Sequence, residues 1–272
     1  MTRVARVAWA GAMNLTDDIA LAARLADAAG AAIRPHFRTA LDSDRKGDAT
    51  PVTIADREAE KVMRAILGAE RPTDGIIGEE FGSENTGASR QWVLDPIDGT
   101  AGFLAGRPIF GTLISLMVDG WPLIGIIDQP ISGERWVGAM GMPTLFNGAE
   151  IRTRACRELS GATLATTGPH YFDDHQGEHF MALAAQTDHK RMVMGGDCYN
   201  YAMLASGQLD IVCEAGLKLH DFAALIPVVE GAGGTMADWH GEPLNADSDG
   251  HVIALGDPAR LEDVVEALAC SH

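Results

Sequence analysis

Trp92-Val93-Leu94-Asp95-Pro96-Ile97-Asp98-Gly99-Thr100 begins with three apolar residues that end in a carboxylate, the pattern of a buried strand delivering Asp95 to its end. Pro96 removes a backbone donor and stiffens the turn, which holds Asp95 and Asp98 on one side of a tight loop. Gly99 tolerates close approach, and Thr100 offers a hydroxyl beside free amides, a pair suited to phosphate where a helix begins. Two carboxylates this near repel by roughly 4 kcal/mol at an effective dielectric of 20. A positive charge therefore belongs between them. Hard oxygen donors without neighbouring His or Cys point to Mg²⁺ rather than zinc. In isolation, Asp-Pro-Ile-Asp-Gly is also the composition of a plain polar turn.

Upstream, the Ala-rich run from Thr16 to about Phe37 has helical spacing, with Thr16-Asp17-Asp18 as cap and dipole-matched charge and Pro35 near its end. Leu41 to Pro51 is polar, contains Lys46 and reads as a loop that could act as a lid. A second helix is expected from near Thr53, with Asp56 in its first turn, where the charge by itself would only favour the helix dipole. Ile76 to Glu80 reads as a strand exposing Glu79 at its end, and Ser83 to Arg90 as a loop. Downstream, Asp119-Gly120 between apolar runs is a hairpin signal, and Asn147-Gly148 is another turn.

The pattern changes after about Arg152. Strands at 162–166, 209–213, 235–239 and 251–255 alternate with helices at 177–186, 197–206, 221–231 and 258–268, which indicates an α/β half. Pro227 inside the third of these helices predicts a kink. The expected organisation is an N-terminal half (1–150) of two helices and an antiparallel sheet, followed by a C-terminal α/β half (151–272).

The 272 residues suffice for a full core. A net charge of −17, from 38 acidic and 21 basic residues, argues against nucleic acid or an anionic membrane as partner, since both need a basic face. Cys156, Cys198, Cys213 and Cys270 form no C-x-x-C pair and read as reduced thiols of a cytoplasmic protein. No apolar run approaches membrane-spanning length. His175-Gln176-Gly177-Glu178-His179 fits a zinc-protease pattern, but Gly177 weakens the helix on which that pattern depends, so these are read as surface histidines.

Glu79, Asp95, Asp98 and Asp221 each fall at the expected end of a strand or start of a helix, where distant segments can converge. With Lys46, Asp56 and Thr100 in this order, the chain resembles the inositol monophosphatase-like phosphatases, which depend on Mg²⁺ and are sensitive to lithium. Two signatures carry the resemblance: Asp95-Pro96-Ile97-Asp98-Gly99-Thr100 with Phe103, and His220-Asp221-Phe222-Ala223-Ala224 leading to Glu230-Gly231-Ala232-Gly233-Gly234. Gly195-Gly196-Asp197-Cys198-Tyr199 and Thr167-Gly168-Pro169-His170 are similar to the histidinol-phosphatase branch of the family. Ala101-Gly102 and Met194 depart from the usual pattern.

The resemblance implies a layered αβαβα sandwich and a phosphomonoesterase acting on a small phosphate ester. It places two or three Mg²⁺ ions on Glu79, Asp95, the Ile97 carbonyl, Asp98 and Asp221. Glu79, Thr100 and Asp56 would orient the attacking water, and Lys46 would complete the outer shell. Gly99 and Thr100 would hold the phosphate, while Asp197, Glu214 and Asp221 would contact the rest of the substrate. Asp197 has a second reading as the cap of the helix that begins there. L-histidinol phosphate is the expected substrate, with inositol or other sugar phosphates as the alternative and a non-catalytic metal-binding protein as a third. The family also implies a homodimer.

Overall fold

The computed structural model describes residues 14–39, 44–45, 51–52 and 54–269. Helix α1 (Thr16–Ile33) runs into a 3-10 turn at Arg34–His36 that contains Pro35. Its first turn is not capped by Thr16 as expected: Asn14 lies two residues earlier, and its Oδ1 accepts the Thr16 N–H at 3.2 Å. Within the expected 41–51 loop, β1 (Asp44–Arg45) pairs antiparallel with β2 (Pro51–Val52). Lys46 and Thr53 lie outside the described residues. Helix α2 (Ile54–Glu70) packs beside α1, and both bury apolar stripes against the first sheet.

That sheet is built from β3 (Gly75–Gly78), β4 (Gly82–Glu84), β5 (Arg90–Asp98), β6 (Gly111–Val118), β7 (Trp121–Gln129), β8 (Glu134–Ala139), β9 (Leu145–Phe146) and β10 (Ala149–Glu150). Its strand order is β10-β9-β8-β7-β6-β5-β3-β4. The β6–β7 hairpin turns at Asp119-Gly120, with φ of 49° and 79°, and the β9–β10 turn at Asn147-Gly148, with φ of 46° and 84°. These left-handed pairs suit the twist of two-residue hairpins. Two expectations are corrected. The span from Ser83 is not all loop, because β4 pairs with β3, and the sheet is not wholly antiparallel, because β3 runs parallel to β5. A strand cannot reverse into a parallel neighbour through a tight hairpin, so β4 and residues 85–89 form the connection between them.

The short helix α3 (Thr100–Leu104) follows β5 directly. After Glu150 the chain enters a second sheet of β11 (Leu164–Thr166), β12 (Val193–Met194), β13 (Ile211–Glu214), β14 (Thr235–Ala237) and β15 (Val252–Leu255), in the order β12-β11-β13-β15-β14. The helices of this part are α4 (Asp174–Gln186), α5 (Asp197–Ala205), α6 (Leu219–Phe222), α7 (Leu225–Gly231) and α8 (Leu261–Leu268). Strand alternation divides the core: Ala165, Val212, Val252 and Ala254 face one way with α5 and α7, whereas Leu164, Ile211, Cys213, Ile253 and Leu255 face α4 and α8. Leu113, Ile127 and Trp136 bring the far face of the first sheet into the same cluster as α5 and α7. The layers are therefore helix pair, sheet, helix pair, sheet, helix pair, an αβαβα sandwich.

The long kinked helix expected around Pro227 is instead two helices, α6 and α7, broken at Ala223-Ala224. Pro227 sits in the first turn of α7, where a backbone N–H has no intrahelical partner to lose. Gly177 does not stop α4 either, since Asp173 and Gln176 form a capping box one turn earlier. His175 and His179 consequently share a helix face, with their Nε2 atoms 3.0 Å apart.

Candidate active site

Between the two sheets lies a cavity of about 240 Å³. The first sheet and α3 contribute Glu79, Asp95, Ile97, Asp98, Gly99 and Thr100; the second part contributes Thr167, Tyr171, Asp197, Tyr201, Glu214, His220 and Asp221. Residues 95 and 98 are three apart, and in a regular strand their side chains would point to opposite faces. The ladder prevents this: Asp95 pairs with Leu113 and Asp98 with Gly111, three steps on β5 against two on β6. That bulge turns both carboxylates the same way. Pro96, lacking an N–H, leaves Ile97 as the next donor, and its N–H binds Asp95 Oδ1 at 3.1 Å. The Thr112 hydroxyl secures the Pro96 carbonyl at 2.7 Å.

Asp98 Oδ2 accepts the Cys198 N–H at 2.6 Å, and Asp221 Oδ2 accepts the Lys218 N–H at 2.7 Å. One oxygen each from Asp95, Asp98 and Asp221 lies within 4.8 Å of the other two. Glu79 follows β3 immediately and stands in the same wall, its N–H on the Leu94 carbonyl at 3.2 Å. Asp56, in the first turn of α2, is buried and its charge acts on Asp95. Burial, then Glu79, Asp98, Asp221 and Asp56, push the Asp95 carboxyl far above its ordinary range. Asp98 is raised by burial and by Asp197 and Asp221, against the Cys198 hydrogen bonds that lower it. Burial also raises Asp221, opposed first by His220. Such a cluster is stable only with protons or cations among its oxygens. The donors are all oxygen, with Asp95 buried and Asp98 and Asp221 half-buried, which fits a hard divalent ion. Among the described residues this is the one group of three or more His, Cys, Asp or Glu ligands that could share an ion, and the His175–His179 pair has no third member.

A second pair of acids, Asp197 and Glu214, lines the same cavity. Asp197 opens α5 with φ +43°, after Gly195 and Gly196 at +84° and +126°. Gly196 is the residue before the helix and no side chain caps it, so Asp197 does not have the capping role its position suggested. Burial lifts the Asp197 carboxyl to about 6, against a backbone hydrogen bond at Gly196 and the charges of Arg107 and His170. Glu214, the last residue of β13, is pushed to about 7 by burial. Its oxygens accept the Thr167 N–H at 2.6 Å and the hydroxyls of Thr167 and Thr166 at 2.9 and 3.2 Å. At the N-terminus of α3, Gly99 (φ +87°) precedes Thr100, whose hydroxyl donates to the Ile97 carbonyl at 3.1 Å.

Every candidate site residue lies in this cavity or against it, Lys46 excepted, which falls outside the described residues. Sequence reading missed Tyr171, half-exposed at the rim, and Tyr201, whose buried hydroxyl has no hydrogen-bond partner among the described residues. Helical spacing held the signal for the latter, which stands four residues after Asp197. Of the departures noted in sequence, Ala101 lines the cavity and Met194 is exposed on the edge strand β12.

The model of the inositol monophosphatase family matches residues 14–271. The chain belongs to the inositol monophosphatase family. It is 46% identical over 253 residues to the bifunctional phosphatase IMPL2, chloroplastic, of Arabidopsis thaliana, covering 90% of this chain and 72% of that protein. The histidinol-phosphatase of Chlorobaculum parvum is 37% identical over 246 residues, covering 88% and 93%. In three dimensions, the chain matches an inositol monophosphatase from Zymomonas mobilis with a TM-score of 0.87 and 52% identity, over 95% of this chain and 100% of that one. Family membership makes this protein a phosphatase of a metal-dependent family that acts on phosphate esters, and the acidic cluster is a group that could hold a metal ion. No helix among the described residues is long and apolar enough to cross a membrane.

Proposed function

We propose that this member of the inositol monophosphatase family hydrolyses L-histidinol phosphate to L-histidinol and inorganic phosphate, a step of histidine biosynthesis. The observation that carries the substrate choice is the presence of two further acids, the half-buried Asp197 and the buried Glu214, in the same cavity as the metal-type cluster but outside it. Histidinol carries an ammonium and an imidazole, and a positive charge beside a carboxylate in a cavity favours its ionised form. A neutral polyol can donate hydroxyl hydrogens to these two acids but brings no charge to meet theirs.

In this reading the 1–150 half supplies most of the metal ligands, Glu79, Asp95, the Ile97 carbonyl and Asp98. The 151–272 half supplies Asp221 and the substrate contacts. Two or three Mg²⁺ ions, when bound, supply Lewis acidity for the leaving oxygen and lower the pKa of water. Glu79, Thr100 and Asp56 would orient the attacking water toward phosphorus. Thr100 is suited to this because its hydrogen already goes to the Ile97 carbonyl, which leaves its lone pairs free to accept from water. The amides of Gly99 and Thr100 face the phosphate at the start of α3. Lys46 supports the outer shell. Asp221 would serve both metal and substrate, and Asp197 and Glu214 would take the cationic end of the leaving alcohol.

A second reading, hydrolysis of inositol 1-phosphate or of sugar phosphates generally, draws support from the 52% identity to a structure described as an inositol monophosphatase. Phosphate release from histidinol phosphate and from inositol 1-phosphate, each with and without Mg²⁺, separates the readings. The proposal expects kcat/KM at least about tenfold higher for histidinol phosphate, a difference of about 1.4 kcal/mol. Equal values would favour a general phosphatase, and no Mg²⁺-dependent release from either would leave a non-catalytic metal-binding protein. We further take the protein to be a lithium-inhibited cytoplasmic homodimer, which inhibition assays, fractionation and light scattering would test.

A further inference from the structure

One fully buried acid takes no part in the chemistry above. Glu60 lies on α2, one turn after Asp56, with no exposed surface. Its carboxylate accepts three donors: Arg64 Nε at 2.7 Å, the Glu80 N–H at 2.7 Å and the Phe81 N–H at 3.2 Å. Arg64 extends the grip, donating to the Gly82 carbonyl and to Glu84 Oε1, the latter at 2.8 Å. The pair on α2 thus clamps the turn between β3 and β4, whose first residue is Glu79, by the two amides that follow it.

On its other side, Glu79 is tied by its own N–H to Leu94, the residue before Asp95. The backbone carrying Glu79 is therefore fixed from two directions. Gly78 shows how closely the clamp is seated: a methyl built there would stand 2.0 Å from Glu60 Oε1 and 2.6 Å from an Arg64 nitrogen. A charged acceptor shared by two backbone amides and a guanidinium is stronger than a neutral one, and less tolerant of displacement.

We propose that Glu60 is a positioning residue for the metal centre: held by Arg64, it fixes the turn that aims Glu79 into the cavity. This rests on the reading of Glu79 as a metal ligand. A carboxylate ligand loses affinity for its ion when the groups that orient it are removed, on the scale of 10–100-fold.

The test measures metal uptake directly, by calorimetric titration of the full chain with Mn²⁺, below the unfolding midpoint of every variant. Glu60→Gln keeps one acceptor oxygen for two amides, and its Mn²⁺ dissociation constant is expected to rise about tenfold. Gly78→Ala displaces the clamp from the other side and is expected to raise it at least as much. KM for the phosphate ester at saturating Mg²⁺ should stay within about twofold, since neither residue meets substrate. Arg71→Gln breaks the Arg71–Asp18 ion pair, 3.0 Å long and away from the cavity; it should lower the midpoint and leave Mn²⁺ affinity unchanged. Folded Glu60→Gln and Gly78→Ala proteins with wild-type affinity would overturn the inference, as would an equal loss in Arg71→Gln. A wild-type protein that takes up no Mn²⁺ would instead overturn the metal reading of the whole site.

Discussion

The Cys198 N–H meets Asp98 Oδ2 at 2.6 Å across 100 residues of chain. This bond joins the end of β5 in the first sheet to the start of α5, which packs between the sheets. Through it a backbone amide of one half orients a carboxylate of the other. Asp197, next to Cys198, then lies against Gly99, where a methyl would be 3.0 Å from Asp197 Oδ2. The metal-type cluster and Asp197 are thus parts of one wall.

Asp98→Asn should reduce Mg²⁺-dependent turnover by about 10²-fold or more, the scale of losing one preorganised electrostatic contact. Because burial and two neighbouring acids push the Asp98 carboxyl up, the same change relieves repulsion in the metal-free protein. Its thermal midpoint without metal should equal or exceed that of the wild type, and the rise on adding Mg²⁺ should shrink. Scanning calorimetry with and without Mg²⁺ checks both.

Asp197→Asn and Glu214→Gln should each raise KM for histidinol phosphate about tenfold, a loss of about 1.4 kcal/mol. KM for an uncharged sugar phosphate should change less than threefold. Steady-state kinetics on the two esters decides, and equal losses would count against a cationic leaving group.

Glu214 makes stability depend on pH. Its folded value of about 7 stands above the ordinary 4.5, so between these two the folded chain holds a proton that the unfolded chain has released. The stabilisation is fully present below pH 4.5 and is lost as pH rises through about 7, a change on the order of 3 kcal/mol. Urea titrations of wild type and Glu214→Gln at pH 5 and pH 8 should show a shallower decline in the variant. A cationic ligand should also release a proton on binding near pH 6, seen as a calorimetric heat that varies with the buffer.

Gly125→Ala should destabilise by about 2–3 kcal/mol, as overpacking does in a core that cannot yield. A methyl there would lie 1.9 Å from the Ala224 carbonyl, at the break between α6 and α7. The thermal midpoint should fall by roughly 5–10 °C. Activity should fall with it, because α6 carries Asp221.

Local signals determined much of this protein. The apolar run ending in Asp95, the Asp119-Gly120 and Asn147-Gly148 turns and the alternation after Arg152 act over a few residues, where backbone sterics and side-chain period suffice. The linear order of Glu79, Asp95, Asp98 and Asp221 was enough to name them as a set. Sequence could not show the bulge that turns Asp98 to the side of Asp95, because register is fixed by the partner strand. Nor could it show the parallel β3–β5 pairing, the break that leaves Pro227 in a first turn, or the capping box that carries α4 through Gly177. Asp197, equally suited by position to cap a helix, faces the cavity because Gly195 and Gly196 turn the chain before it. Tyr201 and Glu60 were invisible for one physical reason: what a buried polar group does depends on which distant atoms surround it, and only the packed chain supplies those.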